Sequence, residues 1–200
     1  MNHIQEKSLV IIKPDGVQRS LIGDIVKRLE QVGLKLVALK FEIPTKEKVK
    51  QHYTIDPMWV EKAGKKSLEA HIVRGIDVSS MNPLELGNKI LTQLQKYMSS
   101  GPVVIMVWQG AHSVGVIRKL VGGTEPRTSD VGTIRGDFVH DSYEISNIEG
   151  RSVRNVVHAS GTIEEAQKEI ENWFKPEEII SYRLIAEEVL YDVNMDGIEE

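Results

Sequence analysis

Six consecutive apolar residues, Val103 to Trp108, follow Gly101-Pro102 with no polar side chain among them. A strand covered on one face alternates in polarity, so a short unbroken run rich in β-branched residues belongs to a strand buried on both faces. The chain must therefore pack layers on both sides of a sheet. Leu9-Val10-Ile11-Ile12 repeats the pattern near the N-terminus. Between these runs, Val37, Leu39, Phe41 and Ile43 alternate with Ala38, Lys40 and Glu42, the signature of a strand covered mainly on one face. Val153 to Val157 reads as a further buried strand, broken by Ser160-Gly161.

Helical spacing accounts for most of the remainder. Leu21, Ile22, Ile25, Val26 and Leu29 trace an amphipathic helix that Gly33 terminates. Thr45 to Tyr53 forms a Lys-rich helix, and Ser113 to Val121 one that buries Val114, Ile117 and Val121. A last helix carries Ile163, Ala166, Ile170, Trp173 and Phe174 on one stripe, opened by Thr162 with Glu165 three residues on, the form of a capping box. From Thr54 to Lys96, Asp56-Pro57, Gly64, Gly75, Ser79-Ser80 and Asn82-Pro83 punctuate short helical pieces, of which Pro83 to Tyr97 is the clearest. The order strand, helix, strand, strand, helix, strand, helix is α/β (α+β), a ferredoxin-like βαββαβ antiparallel sheet with additional helices. A length of 200 residues with 40% hydrophobic composition suits a single domain over residues 1–200, with insertions near 54–96 and 139–152.

Composition excludes several functions. Twenty-five basic against 29 acidic residues give a net charge of -4 with no long run of either sign, so no nucleic-acid or membrane surface is advertised. The absence of cysteine removes disulfides and thiolate chemistry. A polar start and the lack of any membrane-length apolar run make a soluble cytoplasmic protein the expectation.

The chemistry gathers around His158, which stands after an apolar run and before a helix. Glu169 lies at the border of that helix's apolar stripe, so its carboxylate faces back towards the imidazole. A carboxylate that accepts the proton of one ring nitrogen makes the other nitrogen a nucleophile. Lys13 sits at a strand end, held extended by Pro14 before the Pro-Asp-Gly turn. With Tyr53, Arg118, Thr124, Arg135 and Asn155 these residues give three cations, neutral hydrogen-bonding groups, one imidazole and one carboxylate. Such a set suits a polyphosphate beside a nitrogen nucleophile; it lacks the ligands of a metal-only hydrolase and the Gly-Lys-Ser or Gly-Lys-Thr ending of a P-loop.

Four blocks then point to a family. Lys13-Pro14-Asp15-Gly16-Val17-Gln18-Arg19, Ser100-Gly101-Pro102-Val103, Gly132-Thr133-Ile134-Arg135-Gly136-Asp137-Phe138 and Arg154-Asn155-Val156-Val157-His158 resemble, in order and rough spacing, the signature blocks of nucleoside diphosphate kinases. The resemblance implies phosphorylation of His158 by a nucleoside triphosphate and ping-pong transfer to a nucleoside diphosphate. It implies that Lys13, Arg118, Thr124, Arg135 and Asn155 hold phosphates or ribose, that Tyr53 lies beside Lys13 and the imidazole, and that Glu169 orients His158. Mg²⁺ would arrive with the nucleotide, and the protein would be a homo-oligomer, a tetramer or hexamer. The family's base-stacking aromatic after the His-Tyr pair has no clean counterpart, and Trp59 is the nearest substitute. Glu125 and Val131 replace residues that are more often Asn and Pro. Two other readings stand beside this one, a non-catalytic nucleotide-binding regulator of the same fold and an RNA-binding module. Acid-labile, alkali-stable labelling by γ-labelled ATP separates all three.

Overall fold

A computed structural model describes residues 5–191. In chain order it contains β1 (Lys7–Ile12), α1 (Pro14–Gln18), α2 (Ile22–Glu30), β2 (Lys35–Glu42), α3 (Lys46–Tyr53), α4 (Trp59–Val73) and α5 (Pro83–Met98). There follow β3 (Val103–Gln109), α6 (Ser113–Val121), α7 (Ile134–Phe138), α8 (Tyr143–Ile148), β4 (Val157–Ala159), α9 (Ile163–Trp173) and α10 (Ala186–Tyr191). The sheet order is β2-β3-β1-β4 with every pair antiparallel, the ferredoxin-like arrangement expected from the order of elements. No described helix is long and apolar enough to cross a membrane.

The two unbroken apolar runs occupy the centre of the sheet, as their composition requires. Val10 and Ile12 of β1 join Val104, Met106 and Trp108 of β3 in one core with Ile25, Leu29, Ile117 and Val121. Leu9 and Ile11 point the other way with Val103, Ile105 and Val107, into a second core closed by Val49, Met98, Trp173 and Phe174. Helices thus cover both faces, and the side-chain period of two sorts each strand between them.

Strand β2 departs from the alternation read in its sequence. A bulge at Val37 sets Val37 and Ala38 together in the second core, and pairing resumes at Ala38↔Val107. One inserted residue reverses the parity of all that follow. Leu39 and Phe41 therefore do not share Val37's buried face; with Ile43 they are 50%, 60% and 66% exposed on the sheet edge.

Four further differences have local causes. Pro-Asp-Gly after Lys13 starts α1 instead of a tight turn, because Pro14 at the first helical position already has the required φ and no N–H to leave unpaired. Thr162 Oγ1 caps the Glu165 N–H at 3.1 Å, but the Glu165 carboxylate takes the Gly161 N–H at 3.0 Å, so the capping box is only half formed. Val139 to Ser152 contains helix α8, capped by Ser142. Gly64, read as a break, lies inside the 15-residue helix α4. A Cβ there would collide with the Pro83 carbonyl, and one on Gly87 of α5 would collide with the Val60 carbonyl. The two glycines let the α4 and α5 backbones touch, which fixes α4 against α5.

Replacing Gly64 with Ala is expected to force this hairpin apart and to destabilise the protein by about 1–3 kcal/mol, the usual range for overpacking. Denaturant unfolding measures it. An unchanged midpoint would contradict the close approach.

Candidate active site

His158 lies in the middle of β4, opposite Ile11 of β1, and not at the end of a longer strand. The apolar run before it is not extended, because Val156 has φ 54°, a left-handed conformation that a β-branched residue adopts only under external constraint. The constraint is visible. Lys13 N–H donates to the Val156 carbonyl at 2.8 Å, Asp15 Oδ2 accepts the Val156 N–H at 3.2 Å, and Val157 N–H turns back on the Asn155 carbonyl at 2.6 Å. Gly16 permits the approach, since a Cβ there would stand 3.0 Å from the Val156 oxygen and 2.8 Å from Ile12 Cγ2.

Glu169 faces His158 as the helix periodicity predicts. His158 Nε2 is 3.0 Å from Glu169 Oε1, and Ser160 Oγ donates to Oε2 at 2.6 Å. Burial alone would raise the carboxyl's pKa, but the charge and hydrogen bond of His158, with help from His52 and Ser160, outweigh it and hold the group at about 2. The carboxylate is therefore ionised and accepts the proton on Nε2. The His158 lone pair resides on Nδ1.

Tyr53 ends α3, its ring centroid 6.4 Å from that of His158. Burial, reinforced by the Glu169 charge, pushes its phenol upward, so it remains a neutral donor. His52, one residue earlier, stands closer still, with ring centroids 4.5 Å apart at 85°. The sequence offered the His-Tyr pair without separating the two roles.

The cations are held in a chain. Lys13 Nζ donates to Asn155 Oδ1 at 2.7 Å, and Asn155 Nδ2 donates to the Thr124 carbonyl at 2.9 Å. Desolvation, and then repulsion from Arg135, lower the Lys13 amine from 10.5 to about 7, only partly opposed by Asp15. Arg135 donates Nε to the Asn155 carbonyl, Nη1 to the carbonyls of Gly122 and Gly123, and Nη2 to the Val157 carbonyl at 2.7 Å. One of its five N–H groups is left by that set of bonds. Burial and the neighbouring Arg118 lower Arg135 to about 10. Arg118 and Thr124 are exposed at the mouth.

All the residues nominated from sequence line one cleft of about 510 Å³. Trp59 is among them, tilted at 47° with its ring centroid 5.3 Å from that of Tyr53. The structure adds two walls that the sequence did not reveal. Lys62 and Lys66 continue the Trp59 face of α4 along the cleft, and Tyr143 and Ser146 of α8 stand among its lining. The spacing of Trp59, Lys62 and Lys66 was readable as one helix face, but reading Gly64 as a break concealed it. Nothing in the polarity of 142–153 distinguished a cleft wall from a surface loop.

A ferredoxin-like sheet that holds a carboxylate-oriented imidazole beside buried cations defines an α+β phosphotransferase site. Comparison with known proteins agrees. The family model described as "Nucleoside diphosphate kinase" matches residues 6–69 and 84–179. A nucleoside diphosphate kinase of Pyrobaculum aerophilum is 45% identical over 179 residues, 88% of this chain and 98% of the relative. The crystal structure of an NDP kinase from the same organism superposes with a TM-score of 0.84 at 43% identity, covering 88% of this chain and all of the other. A transition-state mimic of the Borrelia burgdorferi nucleoside-diphosphate kinase with bound vanadate and ADP superposes at 0.76 and 39% identity, covering 92% and 95%. The chain belongs to the nucleoside diphosphate kinase family, and it is an enzyme, a phosphotransferase.

The depressed Lys13 makes a protonic signature. Its folded pKa lies below the unfolded 10.5, so from about 7 to 10.5 the unfolded chain binds more protons and stability contributed by this group rises with pH. Below about 7 the full burial penalty applies. A polyphosphate brought beside Nζ restores the charged form. ADP binding at about pH 8.5 is therefore expected to take up close to one proton. Calorimetry in buffers of different ionisation enthalpy reads the uptake, which should vanish in Lys13→Met; equal uptake in both proteins would refute the assignment.

Proposed function

We propose that His158 carries the phosphoryl group between nucleotides in two half-reactions. The observation that carries this reading is the His158–Glu169 hydrogen bond, which leaves the Nδ1 lone pair free at the cleft beside Lys13. In the first half-reaction Nδ1 attacks the γ-phosphorus of a nucleoside triphosphate. An N–P bond forms, the P–O bond to the β-phosphate breaks, and the diphosphate leaves with the electron pair. The terminal oxygen of a second diphosphate then attacks the same phosphorus and the N–P bond breaks. The anhydride made matches the anhydride broken, and a phosphoramidate keeps the transfer potential in between.

Because the transition state of phosphoryl transfer is loose, the protein's task is positioning and charge stabilisation. Lys13, Arg118 and Arg135 supply the positive field, and the hydroxyls of Thr124 and Tyr53 are assigned to phosphate oxygens. Asn155 is assigned to orient Lys13, since both ends of its amide are already engaged within the protein. Trp59 is proposed to cover the base, with Lys62 and Lys66 extending its helix face.

The carboxylates that line the cleft are occupied. Glu169 serves His158 and Ser160, Glu165 accepts from the Gly161 N–H, and Asp56 accepts from the Met58 N–H and from Lys62 at 2.6 Å. This donor set fits Mg²⁺ held by the nucleotide's own phosphate oxygens and not by a protein cage. Bound there, it would supply positive charge to offset that of the polyphosphate. We also infer a homo-oligomer of the tetramer or hexamer kind, supported by the exposed Leu39, Phe41 and Ile43 on the β2 edge.

His158→Asn is expected to fold normally and to take no acid-labile label from γ-labelled ATP. Transfer above contaminant level in that variant would end this reading. Glu169→Gln should slow labelling roughly 10- to 100-fold with nucleotide affinity little changed, because the carboxylate acts on the imidazole and not on the ligand. Turnover at the unmodified protein's rate would remove Glu169 from its role.

A further inference from the structure

One buried group at the cleft is unexplained by the roles above. His52 is 3% exposed, and its Nε2 has no hydrogen-bond partner. Folding rarely leaves a buried N–H unpaired, so such a group asks for a reason. The other nitrogen is well defined. Trp173 Nε1 lies 3.2 Å from His52 Nδ1. An indole nitrogen only donates, so Nδ1 must accept and the ring proton must sit on Nε2.

The position of this ring matters because of what it adjoins. His52 Nδ1 lies 3.8 Å from Glu169 Oε1, the same oxygen that accepts from His158 Nε2. Were Nδ1 protonated, it would offer that oxygen a second donor and draw it away from the nucleophile. The indole N–H prevents this, and Trp173 stands one helical turn beyond Glu169 on α9, so one helix supplies both the carboxylate and the group that protects it. The His52 ring also stands edge-on to His158, with centroids 4.5 Å apart. His52, His158 and Glu169 present ligand atoms within 4.8 Å of one another. The lone pair that His52 turns towards this group is already engaged by Trp173, which makes the trio a hydrogen-bonded wall and not a metal cage.

We propose that His52 is a positioning residue for phosphoryl transfer: clamped as its Nε2–H tautomer by Trp173, it walls the His158 ring and reserves Glu169 for the nucleophile. The inference rests on His158 being the phosphorylated residue. The surrounding charges favour the neutral ring. Burial, then His158 and Lys13, depress its pKa to about 3, while Glu169 alone opposes them. Tyr53 on the same helix stays protonated and adds no charge.

Two measurements on the full chain decide the matter. Two-bond proton–nitrogen spectra of the ¹⁵N-labelled protein should show His52 neutral with its proton on Nε2 from about pH 8 to about pH 5. A proton on Nδ1, or a cationic ring in that range, overturns the proposal. In single-turnover labelling with γ-labelled ATP, His52→Phe keeps an aromatic ring but cannot accept from Trp173. It should phosphorylate His158 roughly tenfold or more slowly, with half-saturation by ATP within about twofold of the unmodified protein. His52→Asn, whose Oδ1 replaces the accepting Nδ1, should recover part of that rate. Equal rates in all three proteins, a loss confined to half-saturation, or His52→Asn as slow as His52→Phe would each overturn it. If His52→Phe does not fold, the spectra and the His52→Asn rate still decide. Absence of label on the unmodified protein would refute the phosphohistidine reading itself, whereas normal label there with unaffected variants would refute only the role of His52.

Discussion

The site depends on the antiparallel pairing of β1 with the three residues of β4. That short ladder joins segments more than 140 positions apart and sets Lys13, just past the end of β1, against the turn that leads into His158. A strand of three residues has few bonds with which to hold its register. The additional hold comes from the backbone bond of Lys13 to Val156, from the Asp15 carboxylate on the Val156 N–H, and from Leu9 and Ser160 bonding each other through backbone and hydroxyl. Together these keep Val156 in a conformation it would not choose alone. The strain is located where the nucleophile must be aimed, and β1, buried on both faces, is the rigid element against which it is held.

The second theme is unbalanced positive charge. Lys13 and Arg135 are both buried and bond chiefly to neutral oxygens, and the carboxylate that acts on Lys13, Asp15, offsets its burial only in part. Buried cations without counter-ions weaken the fold, and their lowered pKa values express that penalty. An incoming polyphosphate relieves it. Because the donors are already fixed by Asn155 and by the carbonyls of 122 and 123, little reorganisation is required when charge develops on the transferring phosphoryl group.

The hydrophobic pattern carried the fold a long way. Two unbroken runs implied a sheet covered on both sides, and the stripe of α9 placed Glu169 facing His158, because burial periodicity depends only on local geometry. The same reasoning failed at Gly64, whose small size serves contact between two helices rather than a break, and at β2, where one bulged residue at Val37 exchanged the faces of Leu39 and Phe41. Both depend on a neighbour distant in sequence. Neither leaves a trace in the spacing of a single segment.

By itself, the sequence determined the order of elements, the central strands, and the residue types able to hold a phosphate beside an imidazole. It could not determine that Val156 is left-handed, that Asn155 serves Lys13, or that His52 receives the indole proton of Trp173. Those outcomes arise from hydrogen bonds between residues 121 to 143 positions apart. The orientation of a hydrogen bond is decided by where the partner is placed, and only the packed tertiary structure places it.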